Sequence, residues 1–431
     1  MLSDTVAQHR AERDRLAGLP MVLRSGLDKA RDYLPTDLIK VITGPRRAGK
    51  SVFAFQLLAD TPFAYLNFDD EKLVSVSDYD ELLAALFHVY PEAGVLLLDE
   101  IQNLPRWELF VNKLQRRGHN LVLTGSNARM LSGELATSLT GRYVEIELLP
   151  FSFSEFLAAR GALPAASDLA LPEVRGRTLQ FCSRYLVEGG FPEVTVRNLP
   201  PSDYLSTLVD AVLFKDIVRR HRIRHPQRLY ELSLHLTSSF AAEYTASRLS
   251  RLLGFNSVTT VETYLGHLEQ AFLLSSLSRY SHKTGQLSRP PRKAYVVDTG
   301  LVAAATFQVS PATGRLMENC VFLELLRRGY RCRKDLFYFK APDGQEVDFV
   351  LRRGTRVSSL VQVCLDLEPA RKRELSALVR AARLLDCKDL TVITWDLQGE
   401  EAMGGHTVRL VPMYRWLLDP PGRACPHHAA G

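Results

Sequence analysis

The stretch that decides the fold is Leu38-Ile39-Lys40-Val41-Ile42-Thr43-Gly44-Pro45-Arg46-Arg47-Ala48-Gly49-Lys50-Ser51. Its first six residues are typical of a short buried strand, and its last eight match GxxxxGK[ST] at every position. Helical spacing follows from Val52 to Ala59. In such a context the loop exposes backbone N–H groups to an anion, and the helix directs its positive end at the same anion. Residues 44–51 therefore predict a loop that binds ATP, with Lys50 on the β- and γ-phosphate oxygens and Ser51 on Mg²⁺.

A second run, Val95-Leu96-Leu97-Leu98-Asp99-Glu100, is an apolar strand that ends in two carboxylates. Ligands of α/β sheets bind at the carboxyl ends of the strands. We therefore expect Asp99 to hold Mg²⁺ through water and Glu100 to polarise the attacking water. The next strand ends at Ser126-Asn127, and Asn127 is expected to bond the γ-phosphate or to position that water. The alternatives are an exposed turn with two ordinary acids, and a plain turn that contains Asn.

The N-terminal third of the chain alternates short apolar strands with helical stretches. The strands lie at about residues 38–43, 63–68, 95–98, 121–124 and 143–148. This alternation predicts a parallel sheet with helices on both faces, and hence a doubly wound α/β core.

The composition limits the class of protein. Of the 431 residues, 46% are apolar and 24% are charged, which is ordinary globular usage, and the net charge of +6 is only a mild excess. The six cysteines form no CxxC pair, which disfavours a zinc or dithiol site and favours a reducing compartment. No apolar run approaches the roughly 18 residues of a membrane span. The charged N-terminus is unlike a signal peptide, so we expect a cytoplasmic protein.

The loop, the Asp-Glu strand and the Ser-Asn strand end resemble those of the AAA+ ATPases. Residues 138–143 and 149–156 are similar to one archaeal and bacterial branch, whose C-terminal half is a domain of unknown function, and residues 188–193 and 297–301 extend the resemblance over nearly the whole chain. The resemblance implies a homo-oligomer, as a ring or bridged by nucleotide, in which an arginine of one subunit stabilises the γ-phosphate bound by the next. Arg142 matches that position and Arg129 is the fallback; a surface arginine is the alternative.

Residues 249–272 have the pattern of a helix, a glycine turn at Gly254 and a second helix, which is typical of a helix-turn-helix. Residues 273–280 and 293–297 are then expected to form a two-stranded wing with a basic surface that neutralises DNA phosphates. Its cations are Arg279, His282, Lys283, Arg289, Arg292 and Lys293. The exposed face of the second helix, with Thr259, Thr260 and Glu262, lacks good base readers, so we expect little sequence specificity. A protein-docking or structural winged helix is the alternative.

A second basic stretch runs from Lys215 to Arg228. Its cations are Lys215, Arg219, Arg220, Arg222, Arg224 and Arg228. A solvated helix face, a nucleic-acid contact and a subunit contact all remain open.

The C-terminal quarter resembles the PD-(D/E)xK nucleases. Glu318 on an apolar helix, Asp348 on an acidic strand and Gln362-Val363-Cys364 on the next strand follow that order, in which clustered acids bind Mg²⁺ and a lysine orients water. Here Cys364 stands at the lysine position and Gln362 at the second carboxylate. Either the site is degenerate or a lysine comes from elsewhere, with Lys372 as the nearest candidate.

The expected organisation has five parts: ATPase core with N-terminal helix, helical lid, winged helix, nuclease-like domain and disordered tail. They span residues 1–155, 156–235, 236–305, 306–419 and 420–431. The sequence favours an ATPase that remodels or translocates on DNA. A nucleotide-switched regulatory or defence protein that docks a protein partner, and an ATP-gated nuclease, are the alternatives.

Overall fold

The computed structural model describes residues 2–76, 78–127, 141–281, 291–305 and 312–419. The expected tail, the fallback Arg129 and the wing residues His282, Lys283 and Arg289 lie outside these ranges. The chain forms two compact units. The first comprises Met1–Phe151 with Gln270–Phe272, and the second comprises Ser152–Glu269 with Leu273–Gly431.

The first unit contains a five-stranded parallel sheet with the order β2-β3-β4-β1-β5. The strands are β1 (Ile39–Thr43), β2 (Phe63–Asn67), β3 (Val95–Asp99), β4 (Asn120–Gly125) and β5 (Tyr143–Glu147). The helices between and before them are Leu2–Ala17, Leu27–Arg31, Lys50–Leu57, Glu71–Val74, Tyr79–Val89 and Trp107–Arg116, with a 3₁₀ turn at Ile101–Asn103. The predicted doubly wound α/β fold is confirmed.

Alternate residues of the central strands pack into two separate cores, one on each face of the sheet. Val41, Leu96 and Leu98 belong to the first core, whereas Ile42 and Leu97 belong to the second. This explains why these strands are continuous apolar runs, because both of their faces are buried. Since all five strands are parallel, the polar residues that follow β1, β3 and β4 meet at one edge of the sheet.

The second unit begins with helices and continues into a small antiparallel sheet. The helices are Phe153–Ala159, Pro172–Glu188, Pro192–Arg197, Pro201–Ala211, a π-helix at Val212–Arg219, Pro226–Ser238, Ala246–Leu252 and Val258–Gln270, with a 3₁₀ turn at Ala166–Ala170. The sheet has the order β6-β8-β7, formed by β6 (Glu243–Tyr244), β7 (Leu274–Ser278) and β8 (Arg292–Val296). The two helices and the β7–β8 ribbon lie where the sequence predicted a helix-turn-helix and its wing.

A six-stranded mixed sheet completes the second unit, with the order β13-β14-β12-β11-β10-β9. Its strands are β9 (Leu336–Lys340), β10 (Glu346–Arg353), β11 (Arg356–Cys364), β12 (Leu390–Thr394), β13 (Gly399–Met403) and β14 (His406–Pro412). The accompanying helices are Gly300–Ala305, Thr313–Arg327, Leu367–Leu385 and Met413–Leu418.

Asp298 joins two glycine turns inside the second unit. Its carboxylate accepts hydrogen bonds from the backbone N–H groups of Gly190 (2.6 Å) and Gly300 (2.9 Å). Gly189 has a φ of 76°, and a Cβ atom on it would lie 1.8 Å from Asp298 Oδ1. Glycine at position 189 is therefore required by the close approach of this carboxylate. Burial raises the pKa of Asp298 to about 7, although the two N–H groups oppose the rise.

Replacement of Asp298 by Asn is expected to change how stability depends on pH. The folded state binds the Asp298 proton more tightly than an unfolded chain does, because aspartates of an unfolded chain have pKa values near 4. The contribution of Asp298 to the free energy of unfolding therefore falls as the pH rises from about 4 to 7. Between pH 5 and pH 8 wild type should therefore lose on the order of 2–3 kcal/mol more than Asp298→Asn. Urea unfolding of both proteins at the two pH values measures this difference; parallel losses would contradict it.

Candidate nucleotide site

The loop between β1 and the helix Lys50–Leu57 depends on two glycines. Gly44 has a φ of 149°, and a Cβ atom on it would lie 2.1 Å from the carbonyl oxygen of Leu148. Gly49 has a φ of 89° and precedes the first residue of the helix. Only glycine allows both the close backbone approach and the left-handed turn. The loop thus brings its backbone to the N-terminus of the helix, as the predicted phosphate site requires.

Lys50 lies inside this loop rather than in solvent, with an exposed fraction of 5%. Its Nζ donates to the carbonyl oxygens of Pro45 (3.1 Å) and Gly44 (3.4 Å), and it forms an ion pair with Glu100 Oε1 at 3.4 Å. The structure therefore brings together the lysine and the acid that the sequence predicted as catalytic partners.

Ser51 and Asp99 are in direct contact, although β4 lies between β1, which precedes the loop of Ser51, and β3, which ends at Asp99. Ser51 Oγ donates to Asp99 Oδ2 at 2.7 Å. Thr124 also donates to the Asp99 carboxylate, and the Tyr65 hydroxyl does so at 3.1 Å. Burial and the nearby charge of Glu100 raise the pKa of Asp99. A hydroxyl and a carboxylate at this spacing are the hard oxygen ligands that suit Mg²⁺, so the residues fit the predicted ion.

Glu100 adopts a left-handed backbone conformation with a φ of 49°. Its backbone N–H donates to Thr124 Oγ1 at 2.9 Å, while Gln102 and Ser126 both donate to Oε2. Burial alone would raise the pKa of Glu100, but Lys50 and these two donors outweigh it and lower the pKa. The carboxylate is thus held ionised and oriented at the strand edge. Asn127 is buried at the end of β4, beside Ser126.

Several residues of the site were missed at the level of sequence. Tyr65, Gln102 and Thr124 have no motif of their own and become identifiable only through the strand order. Arg24 is a further example: it is 5% exposed, and its guanidinium donates to the carbonyl oxygens of Ala48 (2.7 Å) and Leu149 (2.6 Å). This arginine ties the segment before β1 to the backbone of the phosphate loop.

Arg142 directly precedes β5, whose first residue, Tyr143, pairs with Ile39 at the start of β1. Arg142 therefore lies at the edge of the sheet opposite the phosphate loop. Its guanidinium donates to Gln115 Oε1 at 3.3 Å. It lines a cleft of about 550 Å³ that carries three further cations. The cleft residues are Tyr79, Arg106, Leu109, Asn112, Lys113, Arg116 and Arg142. Arg142 is therefore not part of the site formed by the loop, Asp99 and Glu100.

The cations of the β7–β8 ribbon that the structure describes are engaged within the protein. Arg292 Nη2 donates to both carboxylate oxygens of Glu262, at 2.8 and 2.9 Å. The Arg279 guanidinium donates to the carbonyl of Lys340. Lys293 is buried. The expectation of a basic phosphate-binding wing is therefore wrong for Arg292, whose charge Glu262 neutralises, and for the buried Lys293. For Arg279 it stays a prediction.

The nuclease-like residues are only partly brought together. Glu318 and Asp348 both contact the Nζ atom of Lys293, at 2.8 and 3.3 Å. The Gln362 side chain accepts from the backbone N–H of Asp348 (3.2 Å) and donates to Glu374 (2.9 Å), whereas the Cys364 thiol donates to the carbonyl of Asp366. Lys372 is exposed on the helix Leu367–Leu385, and its role as the replacement lysine stays a prediction. Within the described ranges, no group of three or more His, Cys, Asp or Glu is arranged to hold a metal ion.

Comparison with known proteins places this site in a family. Residues 36–157 match the family described as AAA domain, and residues 180–312 and 313–413 match two domains of unknown function, DUF8612 and DUF4143. An uncharacterized protein of Methanocaldococcus jannaschii is 34% identical over 399 residues, covering 88% of each chain. An uncharacterized protein of Haemophilus influenzae is 32% identical over 409 residues, covering 91% of this chain and 97% of its own.

Among solved structures, the Walker-type ATPase of Pyrococcus abyssi is similar with a TM-score of 0.45 and 13% identity, over 67% of this chain and 99% of its own. No helix in the described part of the chain is long and apolar enough to cross a membrane.

Tyr65→Phe tests the hydroxyl that supports Asp99. The variant keeps the ring that packs edge-on against Phe55 but removes the donor to the carboxylate. A hydrogen bond to a charged group contributes about 1.5–3 kcal/mol, so the Mg²⁺ concentration for half-maximal ATP hydrolysis should rise roughly tenfold or more. Mg²⁺ titration at fixed ATP measures this rise, with Tyr90→Phe as a control for loss of a buried hydroxyl. An unchanged titration curve would exclude the role.

Proposed function

The chain belongs to the AAA+-type ATPases with C-terminal domains of unknown function, and from this membership we propose that it couples ATP hydrolysis to movement on, or remodelling of, DNA. The observation that carries the ATP-hydrolysis part of the proposal is the joint placement of Lys50, Ser51, Asp99 and Glu100 at one sheet edge. ATP–Mg²⁺ is the substrate that these groups fit.

Each residue of the site has a separate task in hydrolysis. Lys50 and the loop N–H groups bind the β- and γ-phosphates, and Ser51 with Asp99 would hold Mg²⁺, which neutralises phosphate charge when bound. Glu100 accepts a hydrogen bond from the attacking water and aligns it with the γ-phosphate. Gln102 and Ser126 fix the Glu100 carboxylate for this task. Asn127 is proposed to contact the γ-phosphate from the end of β4.

Arg142 is proposed to act on the nucleotide of a neighbouring subunit in a homo-oligomeric ring. Arg142 lies beside Ile39, the first residue of β1, whereas the phosphate loop follows Thr43, the last residue of that strand. The length of β1 therefore separates Arg142 from the loop by on the order of 13 Å. Arg106 and Arg116, which share its cleft, would add to the attraction for a triphosphate, whereas Lys113 is paired with Asp80 at 2.6 Å.

A subunit-mixing experiment tests the shared site. Arg142→Ala and Lys50→Ala should each lower ATP hydrolysis at least about 100-fold, because an arginine that stabilises γ-phosphate charge contributes 10³–10⁵ in rate. A mixture of the two variants should regain activity, since some junctions then combine an intact loop with an intact arginine from the next subunit. Steady-state ATPase rates of the mixture and of each variant alone measure this. A mixture no faster than its parts would exclude a role in trans.

The DNA-binding surface is proposed to be the segment that contains the π-helix, instead of the ribbon. Five cations between residues 212 and 224 are exposed: Lys215, Arg219, Arg220, Arg222 and Arg224. Phe214 lies beside them with 47% of its surface exposed, which offers a ring for stacking on an unpaired base. π-helices are rare and are frequent at functional sites. Such a surface recognises the phosphate backbone without reading sequence.

A second candidate function is that of a nucleotide-switched protein that docks a protein partner. The observation that favours it is the internal pairing of Arg292 and Lys293, which removes two cations from the expected DNA surface. The two candidates differ in the response of ATP turnover to DNA.

ATP turnover should rise severalfold on addition of DNA, and the stimulation should fall steeply with salt. Arg219→Ala/Arg220→Ala should weaken DNA binding and reduce the slope of log K against log salt by about 2, since each phosphate contact contributes about 0.9. The matched control is Arg353→Ala/Arg356→Ala, which removes the same charge from the exposed β10–β11 turn. ATP turnover that is indifferent to DNA would favour the partner-docking function, and equal slopes for both variants would exclude the proposed surface.

A further inference from the structure

Lys293 is a buried cation at the meeting point of three carboxylates. It is the second residue of β8 and is 2% exposed. Its Nζ atom lies 2.6 Å from Glu346 Oε1, 2.8 Å from Glu318 Oε1 and 3.3 Å from Asp348 Oδ1. Glu318 and Asp348 are two of the acids for which the nuclease resemblance implies a divalent metal ion.

We infer that Lys293 is a built-in counter-ion: its ammonium takes the place of a divalent cation among Glu318, Glu346 and Asp348, so that the C-terminal sheet is a non-cleaving module fastened to the β7–β8 ribbon. The residues present therefore do not fit the metal ion of the resembling nucleases. This inference does not depend on what the ATPase acts on.

The geometry leaves no room for metal and ammonium together. A divalent ion needs these oxygens at about 2.0–2.6 Å, which places it almost at the position that Nζ occupies. Two positive charges at that separation would repel strongly in a buried site. Gln362, which stands at the second carboxylate position, is engaged elsewhere: its Oε1 accepts from the backbone N–H of Asp348 (3.2 Å), and its amide donates to Glu374.

Lys293 is also poorly suited to be the displaced catalytic lysine. An ammonium has three donors: Lys293 donates to Glu318 and Asp348, and Glu346 lies within ion-pair distance at 2.6 Å. The Tyr295 hydroxyl donates to Glu318 Oε1 at 2.6 Å, and the Tyr338 ring lies 5.7 Å from Nζ, so aromatic groups close the cluster on two sides. A buried, fully paired amine cannot reach a phosphodiester.

The carboxylates come from two different elements, and the lysine comes from a third. Glu318 lies on the helix Thr313–Arg327, Glu346 and Asp348 on β10, and Lys293 on β8. The backbone N–H of Val363 on β11 donates to the other oxygen of Asp348 at 3.0 Å. Removal of one partner from a buried ion pair leaves an uncompensated charge, which is strongly destabilising. The cluster therefore holds the ribbon strand against the C-terminal sheet.

The test compares full-length wild type, Lys293→Met and Lys293→Met/Asp348→Asn by thermal unfolding without nucleotide. Lys293→Met should lower the melting temperature by roughly 10 °C, because it strands buried carboxylates while keeping the aliphatic stem. The double variant should recover at least half of the loss, since it also removes a negative charge. The matched control is Lys340→Met, which removes the half-buried lysine that contacts Glu243 and Glu346 at the rim of the cluster and should have little effect.

Two further readouts separate a counter-ion from a catalyst. MnCl₂ at 1 mM, on the order of a weak site's dissociation constant, should stabilise Lys293→Met but not wild type, and wild type should not cut linear or branched DNA with Mg²⁺ or Mn²⁺. DNA cutting by wild type that Lys293→Met abolishes would overturn the inference. So would a Lys293→Met variant that melts like wild type. If Lys293→Met fails to fold, folding of the double variant supports the inference, and its failure assigns the lysine a packing role instead.

Discussion

The structure depends on the contact between the residues after β1 and the acids at the end of β3. Ser51 reaches Asp99 and Lys50 reaches Glu100 across the end of β4, which lies between their strands. That contact requires a fully parallel sheet, because only then do these strand ends share one edge. It also requires glycine at position 44, where the backbone passes against Leu148. The fold and the nucleotide chemistry are thus set by the same few residues.

Much of this core could be predicted from sequence. The strand–loop–helix pattern placed residues 44–51 correctly, and the Asp99-Glu100 pair lies where the apolar strand ends. These features are local, since an apolar strand and a phosphate loop can each be recognised within about ten residues of sequence. Tyr65, Thr124 and Arg24 were not predictable, because their roles depend on which strands are neighbours and on where a distant segment folds back.

The second unit shows the opposite balance. Its helices and ribbon strands could be predicted from the sequence, but the ion pairs of its charged side chains could not. A lysine in a basic segment is read as a surface cation by default, yet Lys293 points into a cluster whose acids lie 25 to 55 residues away. An ion pair between residues that far apart in the sequence leaves no local pattern from which it could be predicted. Arg292 was misread for the same reason, since its partner Glu262 lies on the preceding helix.

The Lys293 cluster also bears on how such chains can be recombined. The lysine precedes the boundary at which the matched domains of unknown function change, and its acids follow that boundary. A chimaera joined at residue 313 would inherit one sign of charge from each parent. Only parents that carry the same arrangement on both sides would keep these buried carboxylates paired with an ammonium, so the two domains behave as one unit in recombination although their boundary suggests two modules.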